Sequence, residues 1–326
     1  MFSEKQILKF AKKRQKSIVF PEASFSNVVM EAAMELNKKK IVKVILLGDE
    51  SALVLRYKEK IKGMTIINPK TSDVYEDLVN LLYEKRKEKG LKLEEAKQLA
   101  LDPIYFGTLL VEAGFADGMV AGAATTSADV IRPALQIIKS KASDEIVSSF
   151  MIFYGKGEIF KENGPIFGAD ISLNVNPSSE QLAQIAKQTA ESYKTFVKDE
   201  PKIAMLSYST FGSGKGEQAE KVKTATAILK QKTKFLVDGE IQLDAAICPR
   251  VSKIKVQSSN ILGRANVLVF PDLNSGNICY KAIQYFGQVK TIGPILQNLN
   301  KPVNDLSRGA TKKDVVLVAA ITALQA

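Results

Sequence analysis

The chain has 326 residues, with 46 Lys or Arg against 35 Asp or Glu, two cysteines, no tryptophan and no histidine, for a net charge of +11. The missing imidazole excludes Ser–His–Asp and Cys–His nucleophiles and the histidine-based zinc motifs, leaving proton transfer to carboxylate, lysine, tyrosine or cysteine. The basic balance points to an anionic partner, yet no basic stripe with interleaved aromatics appears, so a small, highly phosphorylated ligand is expected and nucleic acid is not.

This length predicts two domains. The longest uncharged apolar run, Val315–Ala326, is too short to cross a membrane. The opening MFSEKQILKFAKKRQK is charged throughout and lacks the apolar core of a secretory signal, so a cytoplasmic protein is expected. Phe2, Ile7, Phe10 and Ala11 give it the pattern of a short amphipathic helix. Cys248 in AAICP and Cys279 in GNICYK sit in apolar settings and read as reduced, packed thiols.

Through the first 120 residues, short β-branched runs alternate with helical patterns. Strands are expected at Ser17–Phe20, Lys43–Leu47, Thr65–Ile67 and Gly118–Ala121. Helices are expected at Asn27–Lys38, Ser51–Lys60, Asp73–Lys87, Glu94–Ala100 and Pro103–Ala113. Such alternation implies a parallel sheet covered on both faces. Strands Ile146–Phe153 and Ile166–Leu173, around a YGKGE turn, then suggest a hairpin or edge addition. Helices Ser179–Tyr193, Gly216–Lys230 and Asn277–Phe286 follow, with strands at Ile203–Ser207, Phe235–Val237, Leu243–Ile247, Val267–Phe270 and Val289–Ile292. The expected organisation is α/β in two domains: residues 1–144 with 298–326, and residues 145–297, with an active cleft between them.

Open α/β sheets bind ligands at the carboxyl ends of their strands, so the loops there are the candidates. The small-residue loop Gly122–Ser127 opens a helix near Asp129. Pro133 fits only a first helical turn, which places Arg132 beside unpaired N–H groups as an anion pocket. SYSTFGSGKGEQ is not a Walker A loop, because Ser209 and Gly216 stand where Gly and Ser/Thr belong. It remains an amide-lined turn able to reach phosphate through Lys215. The turn PDLNSGN leads from a strand into a helix, and Arg86 ends a long helix in YEKRKEKG. Last comes PVNDLSRGATKKDVV, where Thr311 and Asp314 form a capping-box pattern. Val315, Val318, Ala319 and Ile321 repeat behind it, burying one side of the final helix. Ser307, Arg308 and Asp314 thus cluster about one helix N-terminus, where a capping carboxylate and a solvated arginine are the plain alternative.

The segments DGMVAGAATTSADVIRPALQIIK, AMLSYSTFGSGKG, DGEIQLDAAI, ANVLVFPDLNSGN and GPILQNLNKPVNDLSRG together resemble the phosphate acetyltransferase (phosphotransacetylase) family. The likeness runs from Ile18 to the C-terminus. It implies two α/β domains of the isocitrate/isopropylmalate dehydrogenase-like type and a homodimer. It also implies reversible acetyl transfer between acetyl phosphate and coenzyme A, with phosphate as partner and no permanently bound cofactor or metal. Carried over by position, the family's base falls on Asp314. Its phosphate- and CoA-positioning groups fall on Ser307, Arg308, Arg132 and Arg86. The loops add Thr126, Ser127, Ser213, Lys215, Asn274, Gly276 and Asn277 as binding candidates. Thr125 stands where many relatives have His, Ala310 at a frequent Cys, and Asp170-Ile171-Ser172 at a usual Asp-Cys. Phe211 and Tyr285 replace a usual Lys and Arg, for which Lys215, Lys281 and Lys290 are substitutes. Three other readings stay open: a phosphate butyryltransferase, a metal- and NAD(P)-dependent dehydrogenase with Asp238, Glu240 and Asp244 as ligands, and a non-catalytic acetyl-CoA sensor.

Overall fold

The β-branched runs near the N-terminus become strands bounded by the turn residues that flank them in sequence. The computed structural model describes residues 3–326, so Phe2 of the expected amphipathic helix lies outside the described residues. These divide into two units, Ser3–Lys141 with Leu299–Ala326, and Ala142–Asn298. Numbered in chain order, the first stretch holds α1 (Glu4–Arg14), β1 (Ser17–Phe20), α2 (Asn27–Lys38), β2 (Lys43–Leu47), α3 (Glu50–Tyr57) and β3 (Thr65–Ile67). It continues with α4 (Tyr75–Arg86), α5 (Leu93–Ala100), α6 (Pro103–Ala113), β4 (Gly118–Ala121) and α7 (Ser127–Pro133). In α1, Ile7 and Ala11 are buried at i,i+4 spacing, while Phe10 flanks that stripe and is largely exposed.

One expectation fails at α7. The helix begins at Ser127, so Arg132 stands in its last turn rather than its first. Pro133 is accommodated because the winding changes there to a π turn, Ala134–Ile138, closed by Lys139 N–H donating to the Ala134 carbonyl at 3.1 Å.

The second unit contains β5 (Ser148–Tyr154), α8 (Glu158–Asn163), β6 (Ile166–Ala169), α9 (Ser179–Val197), β7 (Lys202–Leu206) and α10 (Glu217–Lys232). Then follow β8 (Leu236–Ile241), α11 (Leu243–Ile247), α12 (Pro249–Lys255), β9 (Val267–Val269), α13 (Leu273–Tyr285) and β10 (Lys290–Gln297). Its sheet order is β10-β5-β6-β9-β7-β8. β10, β5 and β6 pair antiparallel, as the expected edge addition requires, and the remaining pairs are parallel. Leu243–Ile247 is a helix and not a strand: Ala245 and Ala246 face the core from it, and so short an apolar run carries no decisive period. Phe150 stacks on Phe167 at 4.9 Å, and Tyr193 meets Phe167 edge-on at 5.1 Å, which centres this core.

The chain then re-enters the first unit as β11 (Val303–Asp305) and α14 (Lys312–Gln325). The first sheet has the order β11-β4-β1-β2-β3, all parallel. Every residue of α14 from Val315 to Ala323 is buried, so the helix is enclosed all round rather than on one side. Its neighbours are α1, α2 and strands β1, β4 and β11. Three adjacent strands, β11, β4 and β1, therefore open their carboxyl-end loops along one sheet edge.

Candidate active site

The β11 loop carries the exposed groups. Leu306 N–H extends the pairing to the Ala121 carbonyl at 2.7 Å, after which the chain surfaces. Ser307 and Arg308 are exposed, and the turn closes by Ala310 N–H donating to the Ser307 carbonyl at 2.8 Å. Arg308 makes no ion pair among the described residues, so its guanidinium is available to an anion. Asp314 completes the expected capping box: its Oδ2 accepts from Thr311 N–H at 2.8 Å and from the Thr311 hydroxyl at 2.7 Å. Thr311 Oγ1 in turn accepts from Asp314 N–H at 3.3 Å. The other carboxylate oxygen, Oδ1, has no hydrogen-bond partner among the described residues. Lys312 with Glu35 (2.9 Å) and Lys313 with Glu4 (2.7 Å) fix the start of the helix beside it.

The β4 loop is built differently from the expectation. Its N–H groups are not free for phosphate, because a buried carboxylate from the β1 loop already takes them. Glu22 accepts from the N–H groups of Gly122 (3.0 Å), Ala123 (2.9 Å), Ala124 (3.0 Å) and Thr125 (2.9 Å), and from the Thr125 hydroxyl (2.8 Å). Glu22 has no exposed surface, and these five donors compensate its desolvation. Thr126 is spent as the N-cap of α7, accepting from Asp129 N–H and donating to Asp129 Oδ2. Ser127, the first residue of α7, is exposed, and its hydroxyl acts to lower the pKa of the Asp305 carboxyl.

Arg132 projects outward and meets Asp129 at 3.6 Å, with more than half its side chain in water. Tyr105 of α6 feels the charge of both helix arginines. Its hydroxyl donates to Gln136 Oε1 at 3.1 Å. Burial pushes the phenol's pKa up, while the positive charges of Arg132 and Arg86 pull it down and the negative charges of Asp102 and Asp129 add to the rise. Both guanidiniums thus act electrostatically on one phenol. Tyr105 had no sequence signal beyond its place in the helical pattern PIYFGTLL.

Beneath the β11 loop lies Asp305, only 1% exposed, with Oδ1 lacking any hydrogen-bond partner among the described residues. Burial raises its pKa to about 7, opposed by the Ser127 hydroxyl and the Leu306 N–H and reinforced by the charge of Glu22. Neither Glu22 nor Asp305 stands out in the sequence.

In the second unit the glycine-rich turn is also held from below. Ser209 Oγ donates to Glu240 at 2.9 Å, Gly212 N–H donates to the same carboxylate, and Gly214 N–H donates to Ser209 Oγ at 2.9 Å. Ser213 Oγ accepts from Thr210 N–H at 2.9 Å, so the turn's amides are largely engaged within it. Lys215 remains exposed. In the α13 turn, Asp272 caps the helix through Ser275 N–H. Asn274 is exposed, whereas Asn277 spends its amide on the Ile171 carbonyl at 3.1 Å. Gly276 is needed for packing, since a Cβ there would stand 2.3 Å from the Asp170 carbonyl oxygen. Asp170 itself is buried and accepts from the hydroxyl of Ser149, from the side-chain amide of Asn174 and from neighbouring N–H groups.

Asp238, Glu240 and Asp244 do not converge on a metal position. Asp238 binds Ser259, Asn260 and the Ile261 N–H, Glu240 the turn above, and Asp244 pairs with Lys255 at 2.8 Å. Among the described residues no group of three potential ligands is close enough to hold an ion, and no helix is long and apolar enough to cross a membrane.

Residues 2–323 match the family model described as "Phosphate acetyl/butaryl transferase". The phosphate acetyltransferase of Acetivibrio thermocellus is 45% identical over 323 residues, covering 98% of this chain and 97% of that protein. A solved phosphotransacetylase from Streptococcus pyogenes superposes with a TM-score of 0.91 at 41% identity, covering 99% of each chain. A Salmonella typhimurium structure titled as a 4-hydroxythreonine-4-phosphate dehydrogenase shares the fold alone, with a TM-score of 0.55 at 12% identity and 96% and 99% coverage.

Proposed function

Because the chain belongs to the phosphate acetyl/butaryl transferase family, we propose that it transfers acetyl groups reversibly between acetyl phosphate and coenzyme A. The carrying observation is the divided use of Asp314: Oδ2 is committed to the Thr311 cap, and Oδ1 is left to accept a proton. In this reading Oδ1 takes the proton of the coenzyme A thiol. The thiolate then attacks the acetyl carbonyl carbon, and the carbon–oxygen bond to phosphate breaks with its electron pair leaving on phosphate. No acyl-enzyme forms.

Arg308, which makes no ion pair among the described residues, holds the leaving phosphate, with Arg132 and Arg86 assigned as further cations for it. The Ser307 hydroxyl stabilises the oxyanion. A coenzyme A thiol lies intrinsically near pKa 8.5, so Arg308 must also draw its pKa down. Much of the acceleration then comes from positioning. Lys215 and Asn274 of the second unit, both exposed, are assigned to coenzyme A. Ser213, Gly276 and Asn277 shape the turns that present them. A cytoplasmic homodimer completes the proposal.

The experiment compares acetyl, propionyl and butyryl phosphate as donors to coenzyme A, in EDTA and without nicotinamide. Preference for acetyl phosphate is expected. Preference for butyryl phosphate would replace the acetyl assignment, and a requirement for metal and nicotinamide would replace the whole reading.

A further inference from the structure

Acyl transfer as drawn above makes no use of Asp305, a buried carboxyl beneath the Ser307–Arg308 loop. Asp305 closes β11, paired with Ala121 of β4, two residues before Ser307. The next residue of the β4 loop, Gly122, has φ +107°, and a Cβ built on it would stand 2.2 Å from Asp305 Oδ1. Only glycine leaves the carboxyl room to lie against the loop. The Ser127 hydroxyl, at the start of α7, favours the charged form of the same carboxyl. One side chain thus lies between the strand leading to Ser307–Arg308 and the Gly122 end of the loop that leads to Thr126 and Ser127.

The donors in this bracket are divided unequally. Glu22 collects the four loop N–H groups and the Thr125 hydroxyl, while Asp305 Oδ1 has none. The charged groups around Asp305 do not favour a second negative charge. Glu22 faces it from the β1 loop. On α7, Asp129 and Arg132 pair with each other in solvent. The buried run Val315–Ala323 of α14 contains no titratable residue, and β4 contributes Met119, Val120 and Ala121. A carboxylic acid can leave one oxygen unpaired at modest cost, whereas a buried carboxylate cannot.

We propose that Asp305 is a positioning residue for acyl transfer: as a neutral acid it registers the Ser307–Arg308 loop against the Thr126–Ser127 loop, and its ionisation loosens that register. The proposal rests on the acetyl-transfer reading. The raised pKa of about 7 agrees with it.

Thioester formation from acetyl phosphate and coenzyme A is followed against pH for the wild type, Asp305→Asn, Asp305→Ala and Ser127→Ala. The wild-type kcat is expected to carry a descending component centred near pH 7 that Asp305→Asn lacks. Asp305→Ala loses on the order of tenfold to a hundredfold in kcat with little change in KM, because the loops lose register. Asp305→Asn regains most of that loss. Ser127→Ala removes a donor that favours the charged form, so the descending component moves to higher pH. This variant leaves Asp305 in place and keeps the test open if Asp305→Asn does not fold. An unaltered pH profile in Asp305→Asn, no movement in Ser127→Ala, or equal activity of the Asn and Ala variants overturns the positioning role alone. A wild-type chain that makes no thioester overturns the acetyl-transfer reading and this role with it.

Discussion

Glu22 holds Thr125 twice, accepting its N–H at 2.9 Å and its hydroxyl at 2.8 Å. That grip joins the β1 loop to the β4 loop across about 100 residues of chain. The hydroxyl here finishes a ring of donors around a carboxylate that has no contact with water. Glu22→Ala takes the acceptor from four loop N–H groups, of which that of Gly122 is fully buried, and is expected to destabilise the fold by about 3 kcal/mol. Glu22→Gln keeps one acceptor oxygen but turns an NH2 toward donors, and is expected to cost about 2–3 kcal/mol. Chemical denaturation measures both; a loss below about 1 kcal/mol for Glu22→Ala would show that water replaces the carboxylate.

Gly122→Ala should be among the most damaging glycine substitutions in this unit. The added Cβ meets Asp305 Oδ1 at 2.2 Å and the backbone of Leu306 at 2.7 Å, on a φ that L-residues avoid. Gly114→Ala has comparable backbone strain, at φ +87°, but meets nothing within 4 Å. The control is expected to cost about 1 kcal/mol and Gly122→Ala several times that. Equal unfolding midpoints would mean that the β4 loop moves freely away from Asp305.

Thr311 and Asp314 can be separated by mutation. Thr311→Ala breaks the capping box and should cost about 0.5–2 kcal/mol of stability while the Asp314 carboxylate remains. Asp314→Asn retains an acceptor for the Thr311 N–H, so stability changes less, but no base remains. A strong fall in kcat with little change in KM for acetyl phosphate is expected for Asp314→Asn, and a small one for Thr311→Ala. Equal losses in kcat would reassign Asp314 to helix capping alone.

Stability should depend on pH through Asp305. Its folded pKa of about 7 lies above the ordinary 3.8, so the folded state holds a proton that the unfolded chain has released. Between those values stability falls as pH rises, and above about 7 it levels off. The difference corresponds to roughly 4 kcal/mol against the ionised form. Urea midpoints of the wild type should therefore decline from about pH 5 to about pH 7 relative to Asp305→Asn, and parallel curves would contradict the assignment.

The local parts of this molecule were legible from residue order. Strands β1 to β4 fall where Val and Ile runs meet turn residues, and the Thr311–Asp314 box spans only three residues. Where the reading failed, the deciding contacts are distant. Val303–Asp305 contains Asn and Asp, which disfavour strands. Pairing with β4, and Asn304 donating to Thr322 and Gln325 of α14, hold it in the sheet. The amides of the β4 loop look free until Glu22 is placed beneath them. The turn at Ser209–Gly216 misleads in the same way until Glu240 is placed beneath it. Conversely, Arg308 was expected near an anion on position alone, and the structure leaves it exposed and without an ion pair among the described residues.

The most direct test mixes purified protein with acetyl phosphate and coenzyme A and follows thioester absorbance in the ultraviolet, beside Asp314→Asn. The wild type is expected to form acetyl-CoA and release phosphate in equal amounts, with the variant strongly slowed. Folded wild-type protein that forms no thioester would contradict the account at its centre.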